Sequence, residues 1–96
     1  MNLSKVIASC LRQNILRELS KVREIRMMKL NDNLRSTYVE LNRNLLLLQR
    51  AGIVTNEYRE PAGQGKVRIV RLNRDNSKTK ILLEALKMLD EEDAHN

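Results

Sequence analysis

Covalent and acid–base chemistry needs particular side chains at particular spacings, and this 96-residue chain has few of them. Its single histidine, His95, stands next to the last residue, and its single cysteine, Cys10, has no second thiol with which to close an intramolecular disulfide. Neither belongs to a nucleophile–base arrangement, and no pair of carboxylates suggests a shared pocket. The "GQG" of residues 63–65 follows Pro61 and reads as a turn tip, not a phosphate-cradling loop. The chain argues against an enzyme and implies no cofactor. Hydrogen-bonding side chains carry what chemistry remains. They concentrate in "STYVELNRN", residues 36–44, directly before four consecutive leucines. A surface helix needs only one apolar stripe. A helix that begins polar and ends in leucine must be covered on several sides over its C-terminal half and open over its N-terminal half.

The elements that position this run follow from composition and periodicity. The length is that of one small domain with a core too small for a deep catalytic cavity. With no Trp, no Phe and only Tyr38 and Tyr58, aliphatic side chains must fill that core. Charge is uneven: up to residue 80 there are seventeen Lys and Arg against seven Asp and Glu, and from 81 on one Lys against five acids. A basic body with a net charge of +6 overall suits a polyanionic partner, nucleic acid before membrane. No stretch resembles a signal peptide or a membrane span, so the expected setting is soluble and cytoplasmic.

Leu3, Ile7, Leu11, Ile15 and Leu19 recur every four positions, widened by Val6, Cys10 and Leu16, and predict one amphipathic helix over 3–19 with Cys10 as a small core residue. "KVREIR" predicts a brief strand around 22–25. Met27, Leu30 and Leu34 suffice for two turns of a second helix, followed by a turn at 33–36 and a cap at Ser36 or Thr37. A third helix runs from 37 to 50 or 51. Gly52 suits the left-handed position after it. On this helix Leu41, Leu45 and Leu48 share one face, and Val39, Arg43, Leu46 and Arg50 the opposite one. "IVTNEYRE" and "KVRIVRL" form a hairpin around "PAGQG". "SKTKILLEALKMLDEE" is a last helix, capped by Ser77 or Asn76.

The order is helix, short strand, helix, turn, helix, hairpin, helix: an α+β chain. Within it, "LRSTYVELNRNLLLLQRAGIV" resembles the recognition-helix segment of arsenical-repressor-type and related archaeal winged helix-turn-helix regulators. Thr37, Arg43, Leu45, Leu48 and the run Ala51, Gly52, Ile53, Val54 fall in register with that pattern. The resemblance, from about residue 11 to 72, implies a winged-helix domain over 1–76, a dimerisation helix over 77–90 and an acidic, disordered tail over 91–96. It also accounts for the lopsided helix. Leucines 45–48 would lie between the other helices and the wing sheet, apolar all round, while the polar start protrudes into a DNA major groove.

The resemblance implies base-edge contacts from Tyr38, Val39, Asn42 and Arg43, since arginine pairs with guanine, asparagine with adenine, and valine with a thymine methyl. Arg35, Ser36 and Thr37 sit where a helix N-terminus favours phosphate. The wing would approach the backbone or minor groove through Arg59, Gln64, Lys66 and Arg68, with Arg71, Arg74, Lys78 and Lys80 extending the basic strip. Glu40 is the misfit, a carboxylate where DNA would lie. Ile81, Leu82, Leu83, Leu86 and Leu89 exceed the needs of one small core and are expected to contact a second copy, the alternative being that the last helix packs back on the first within a monomer. The metal sensing of arsenical repressors needs clustered thiolates or imidazoles, so it does not carry over to a chain with one Cys and one His. The expected partners are double-stranded DNA and the chain itself. The competing expectations are a winged-helix module that binds a protein, and an architectural DNA binder with little sequence preference.

Overall fold

The computed structural model of the protein describes residues 2–94. Two short helices, α1 (Leu3–Ile7) and α2 (Cys10–Ser20), are followed by the two-residue strand β1 (Ile25–Arg26), α3 (Met27–Leu34) and α4 (Tyr38–Arg50). The hairpin β2 (Val54–Arg59) and β3 (Val67–Leu72) leads into α5 (Ser77–Ala94).

The single helix expected over 3–19 is two. Ser9 takes an extended backbone, and its Oγ accepts from the Arg12 N–H at 3.3 Å, so the serine starts a second helix instead of continuing the first. The carbonyls orphaned by the break find donors. The Arg12 guanidinium donates to Val6 O and Lys5 O, and Gln13 Nε2 donates to Ile7 O. Cys10 becomes the first residue of α2 and is exposed, correcting its expected place in the core. Arg12 also donates to Asn44 Oδ1 at 2.8 Å, tying the α1–α2 joint to α4.

The core is aliphatic. Ile15, Leu16 and Leu19 from α2 meet Leu30 of α3, Leu41, Leu45 and Leu48 of α4, and Val70 of β3. Leu82 and Leu86 of α5 close the same cluster. These two are thus buried in the chain's own core and not free for a second copy. Leu83 packs beside them, while Ile81 and Leu89 stay exposed. The helix expected to dimerise over 77–90 thus also contributes to the domain's own core, as the alternative of packing within the monomer has it. The tail expected over 91–96 is helical as far as Ala94; the remainder of it lies outside the described residues.

The sheet order is β1–β3–β2, antiparallel throughout, with Ile25 opposite Val70 and Val54 opposite Leu72. Side chains alternate along each strand, so Val70 and Leu72 on one face of β3 enter the core. Gly52, at φ +78°, turns the chain from α4 into β2. Its carbonyl accepts from Asn73 Nδ2 and Asn76 Nδ2, and Thr79 Oγ1 donates to Ile53 O at 3.4 Å. Asn76 also starts α5, its Oδ1 accepting from the Lys78 N–H at 2.8 Å. Arg74, expected in a basic strip, instead donates to Leu19 O, Ser20 O and Val22 O and covers the carbonyl end of α2.

Candidate nucleic-acid interface

The presenting unit is α3, its turn and α4. Arg35 ends α3 in the left-handed region, φ 53° and ψ 32°, and is exposed. Ser36 is half-buried and donates to Asn31 Oδ1 at 2.8 Å. Thr37 is the N-cap of α4, its Oγ1 accepting from the Glu40 N–H at 3.2 Å. Glu40 lies in the first turn, where the helix dipole favours a carboxylate. The misfit residue is thus explained by the start of the helix that carries it.

Along α4 the buried face is Leu41, Leu45 and Leu48, and the opposite face protrudes. Val39 is 66% exposed, and Arg43 is exposed beside it. The leucine run is not covered all round, contrary to expectation. Leu46 stands on the outward face at 40% exposure and Leu47 is half-buried, because a helix packed on one side leaves about half its circumference outside. Asn44 turns away from this face. Its Nδ2 donates to Glu40 O while Arg12 holds its oxygen.

The wing splits by strand parity. Arg68 lies on the same face of β3 as Val70 and Leu72, one step beyond the core, where the sheet meets the protruding half of α4. Tyr58 is directly opposite it on β2. There Arg68 Nη1 donates to Asn42 Oδ1 at 2.7 Å and to Tyr38 Oη at 3.0 Å, and Nε donates to Asn56 Oδ1 at 3.3 Å. The guanidinium also sits over the Tyr58 ring, 5.8 Å from its centroid. Clefts of about 330 and 360 Å³ open beside this group, the first reaching Lys66 and Met28, the second Leu46 and Gln49. Arg68 thus reaches α4 and not the hairpin tip.

Arg59 lies on the other face. Its guanidinium pairs with Glu24 and Glu57, each at 2.6 Å. Those bonds raise its pKa above the usual arginine value, and the bond from Arg59 holds the Glu24 carboxyl below its usual range. Its charge is already matched by carboxylates, so a phosphate would have to compete with Glu24 and Glu57 for it. At the tip, Gln64 Oε1 accepts from Arg26, and Lys66 is exposed. Arg26 was absent from the sequence expectations. Its neighbourhood follows from the pairing of Arg26 with Ile69 across β1 and β3, a register that two residues of strand do not announce. Asn56 was missed because its approach to Arg68 depends on the register of β2 on β3. Arg71 is exposed and donates to Thr55 Oγ1.

Among the described residues, no three His, Cys, Asp or Glu side chains come together in a metal-binding group, and no helix is long and apolar enough to cross a membrane. No family model and no curated protein sequence matches the chain. Among solved structures it is similar to NadR, a MarR-family winged-helix regulator, in complex with 4-hydroxyphenylacetate, with a TM-score of 0.70. The chain has a winged-helix fold. The match covers 90% of this chain at 17% identity and 57% of the NadR chain, so the chain spans little more than half the length of that protein. At that identity the likeness is one of fold. In winged-helix terms α3 and α4 form the helix-turn-helix, α4 holds the recognition position, and β2 with β3 is the wing.

Proposed function

We propose that the protein is a sequence-specific, double-stranded DNA-binding transcription regulator, working in the cytoplasm as a homodimer. The first half of α4 enters the major groove and the wing lies on the backbone or in the minor groove. The observation that carries this reading is the protruding start of α4, capped by Thr37 and presenting Val39 and Arg43 outward with the wing beside it. Arg43 reads guanine and Val39 meets a thymine methyl. Arg35 and the N–H groups behind Ser36 and Thr37 hold a phosphate, with Lys66 doing the same from the wing. Tyr38 and Asn42 stand on the wing side of the same helix. The arsenical-repressor-type pattern and the basic body support the assignment.

Dimerisation would use what α5 leaves outside: Ile81, Met88 and Leu89. A second reading, a module that docks on a protein, is favoured by Arg59, whose pairing with Glu24 and Glu57 removes one cation from the wing. Selection from a randomised duplex library, followed by sequencing of the bound fraction, separates the readings. A paired, inverted motif is the expected result. Salt-sensitive binding without a motif would leave an architectural binder. No binding at low salt would overturn the DNA reading in favour of the protein-docking module.

A further inference from the structure

Asn42 meets the wing with its acceptor already engaged. A guanidinium has donors and no acceptor. The bond from Arg68 Nη1 to Asn42 Oδ1, 2.7 Å long, therefore decides which end of the amide faces the wing and which end is left outward. Arg68 is itself held in place by Tyr38 Oη, Asn56 Oδ1 and the ring of Tyr58. An asparagine that reads adenine uses both ends of its amide, Oδ1 accepting from N6 while Nδ2 donates to N7 in the plane of the base. Oδ1 keeps a second lone pair, but Arg68 sets the amide plane and occupies the oxygen's near side. What remains outward is Nδ2, a donor. Guanine offers that donor two acceptors, N7 and O6. Adenine offers only N7 and sets its own amino group against the rest of the amide NH2, thymine offers only O4, and cytosine presents only a donor.

Resting on the DNA reading proposed above, we infer that Arg68 is a specificity-determining positioning residue. It acts through Asn42, converting an amide suited to adenine into a donor-only reader that favours guanine. The two halves of the device come from different elements, α4 and β3, so the wing sets part of the base preference without touching that base.

The test is the duplex-library selection run on the native chain and on Arg68→Met, Arg68→Lys and Asn42→Ala, each first confirmed as folded by thermal melting. The position that Asn42 reads is the one whose preference vanishes in Asn42→Ala. There the native chain and Arg68→Lys, whose ammonium can donate to the same oxygen, are expected to favour guanine. Arg68→Met is expected to favour adenine, with the adenine-to-guanine ratio swinging by about tenfold or more. A purely structural role would weaken Arg68→Met on all sequences and leave the ratio unmoved, which overturns the inference while the regulator reading stands. If Arg68→Met does not fold, the native chain decides alone. Replacing that guanine by 7-deazaguanine, which lacks N7, should weaken binding severalfold, whereas a native preference for adenine there overturns the inference. A native chain that selects no motif overturns the regulator reading itself, an outcome distinct from a motif read the wrong way.

Discussion

At the scale of single residues, backbone conformation and pairing decide what each polar group is free to do. Arg35 is an L-residue in the left-handed region, a conformation that costs roughly 1–2 kcal/mol outside glycine. Arg35→Gly should therefore raise stability, by about 0.5–1 kcal/mol after the extra freedom of glycine in the unfolded chain is discounted. The same change removes a cation beside the N-terminus of α4, so duplex affinity should fall as the melting temperature rises. Melting curves and a gel-shift titration on one preparation check both signs. Arg43 and Arg59 make a sharper pair. Arg43 is exposed on the outward face of α4, and Arg59 is matched by Glu24 and Glu57. Arg43→Ala is expected to cost about 1–3 kcal/mol on the selected site. Arg59→Ala should leave affinity within a factor of about two or three, since an already paired surface cation contributes little. Equal losses in the two variants would contradict the division of the wing by face.

At the scale of elements, caps and turn bonds hold α4 in place. Gly52 combines a φ of +78° with a site where an added Cβ would lie 2.7 Å from Asn76 Nδ2, the same amide that donates to the Gly52 carbonyl. Gly52→Ala thus strains the backbone and displaces a bond at once, and a loss of about 2–3 kcal/mol is expected in denaturant unfolding. Arg74→Ala would take the side-chain donor from three carbonyls at and just past the end of α2, whereas Lys78→Ala, of a residue exposed in the first turn of α5, would take it from none. Only the first should destabilise measurably, by roughly 1–2 kcal/mol. Both changes remove one positive charge, so their difference isolates the capping role from the basic strip to which the sequence assigned both residues.

At the scale of the whole molecule, α5 has two apolar faces with different fates. Leu82 and Leu86 are in the core, while Ile81 is 55% and Met88 61% exposed. Leu86→Ala should lower stability by about 2–5 kcal/mol. Ile81→Glu combined with Met88→Glu should leave the fold intact and yield a monomer in sedimentation, if the exposed face joins two copies as proposed. The far end of α5 is tied back by Asp90, whose carboxylate accepts from Arg17 Nε and Nη2. The hydrogen bond from Arg17 holds the Asp90 carboxyl below its usual value. A depressed carboxyl contributes stability that is present above the unfolded value, near pH 4, and is lost as pH falls through the folded one. Asp90→Asn should accordingly flatten the acid side of a melting-temperature profile by slightly lowering its neutral plateau while leaving the acid end unchanged, a small effect that suits an exposed pair.

Much of the fold was legible in the residues because it rests on local rules. The spacing of Leu41, Leu45 and Leu48, the threonine cap at 37, the glycine at 52 and the strand–turn–strand pattern around "PAGQG" act within a few residues of one another. They prescribed α4 and its wing before any packing was known. The break at Ser9 was also local, but the four-residue recurrence of apolar positions across it hid a competing cap. Other features depended on which distant surfaces meet. Arg59 and Arg68 look alike along the chain; strand parity and the register of β2 on β3 send one to Glu24 and the other to Asn42. Likewise Leu82 and Ile81 are neighbours in a continuous apolar run, and only the docking of α5 against the helical core separates them. Periodicity prescribes an element's faces, because it is a property of one segment. What each face touches is a property of two, and that was left to the tertiary structure.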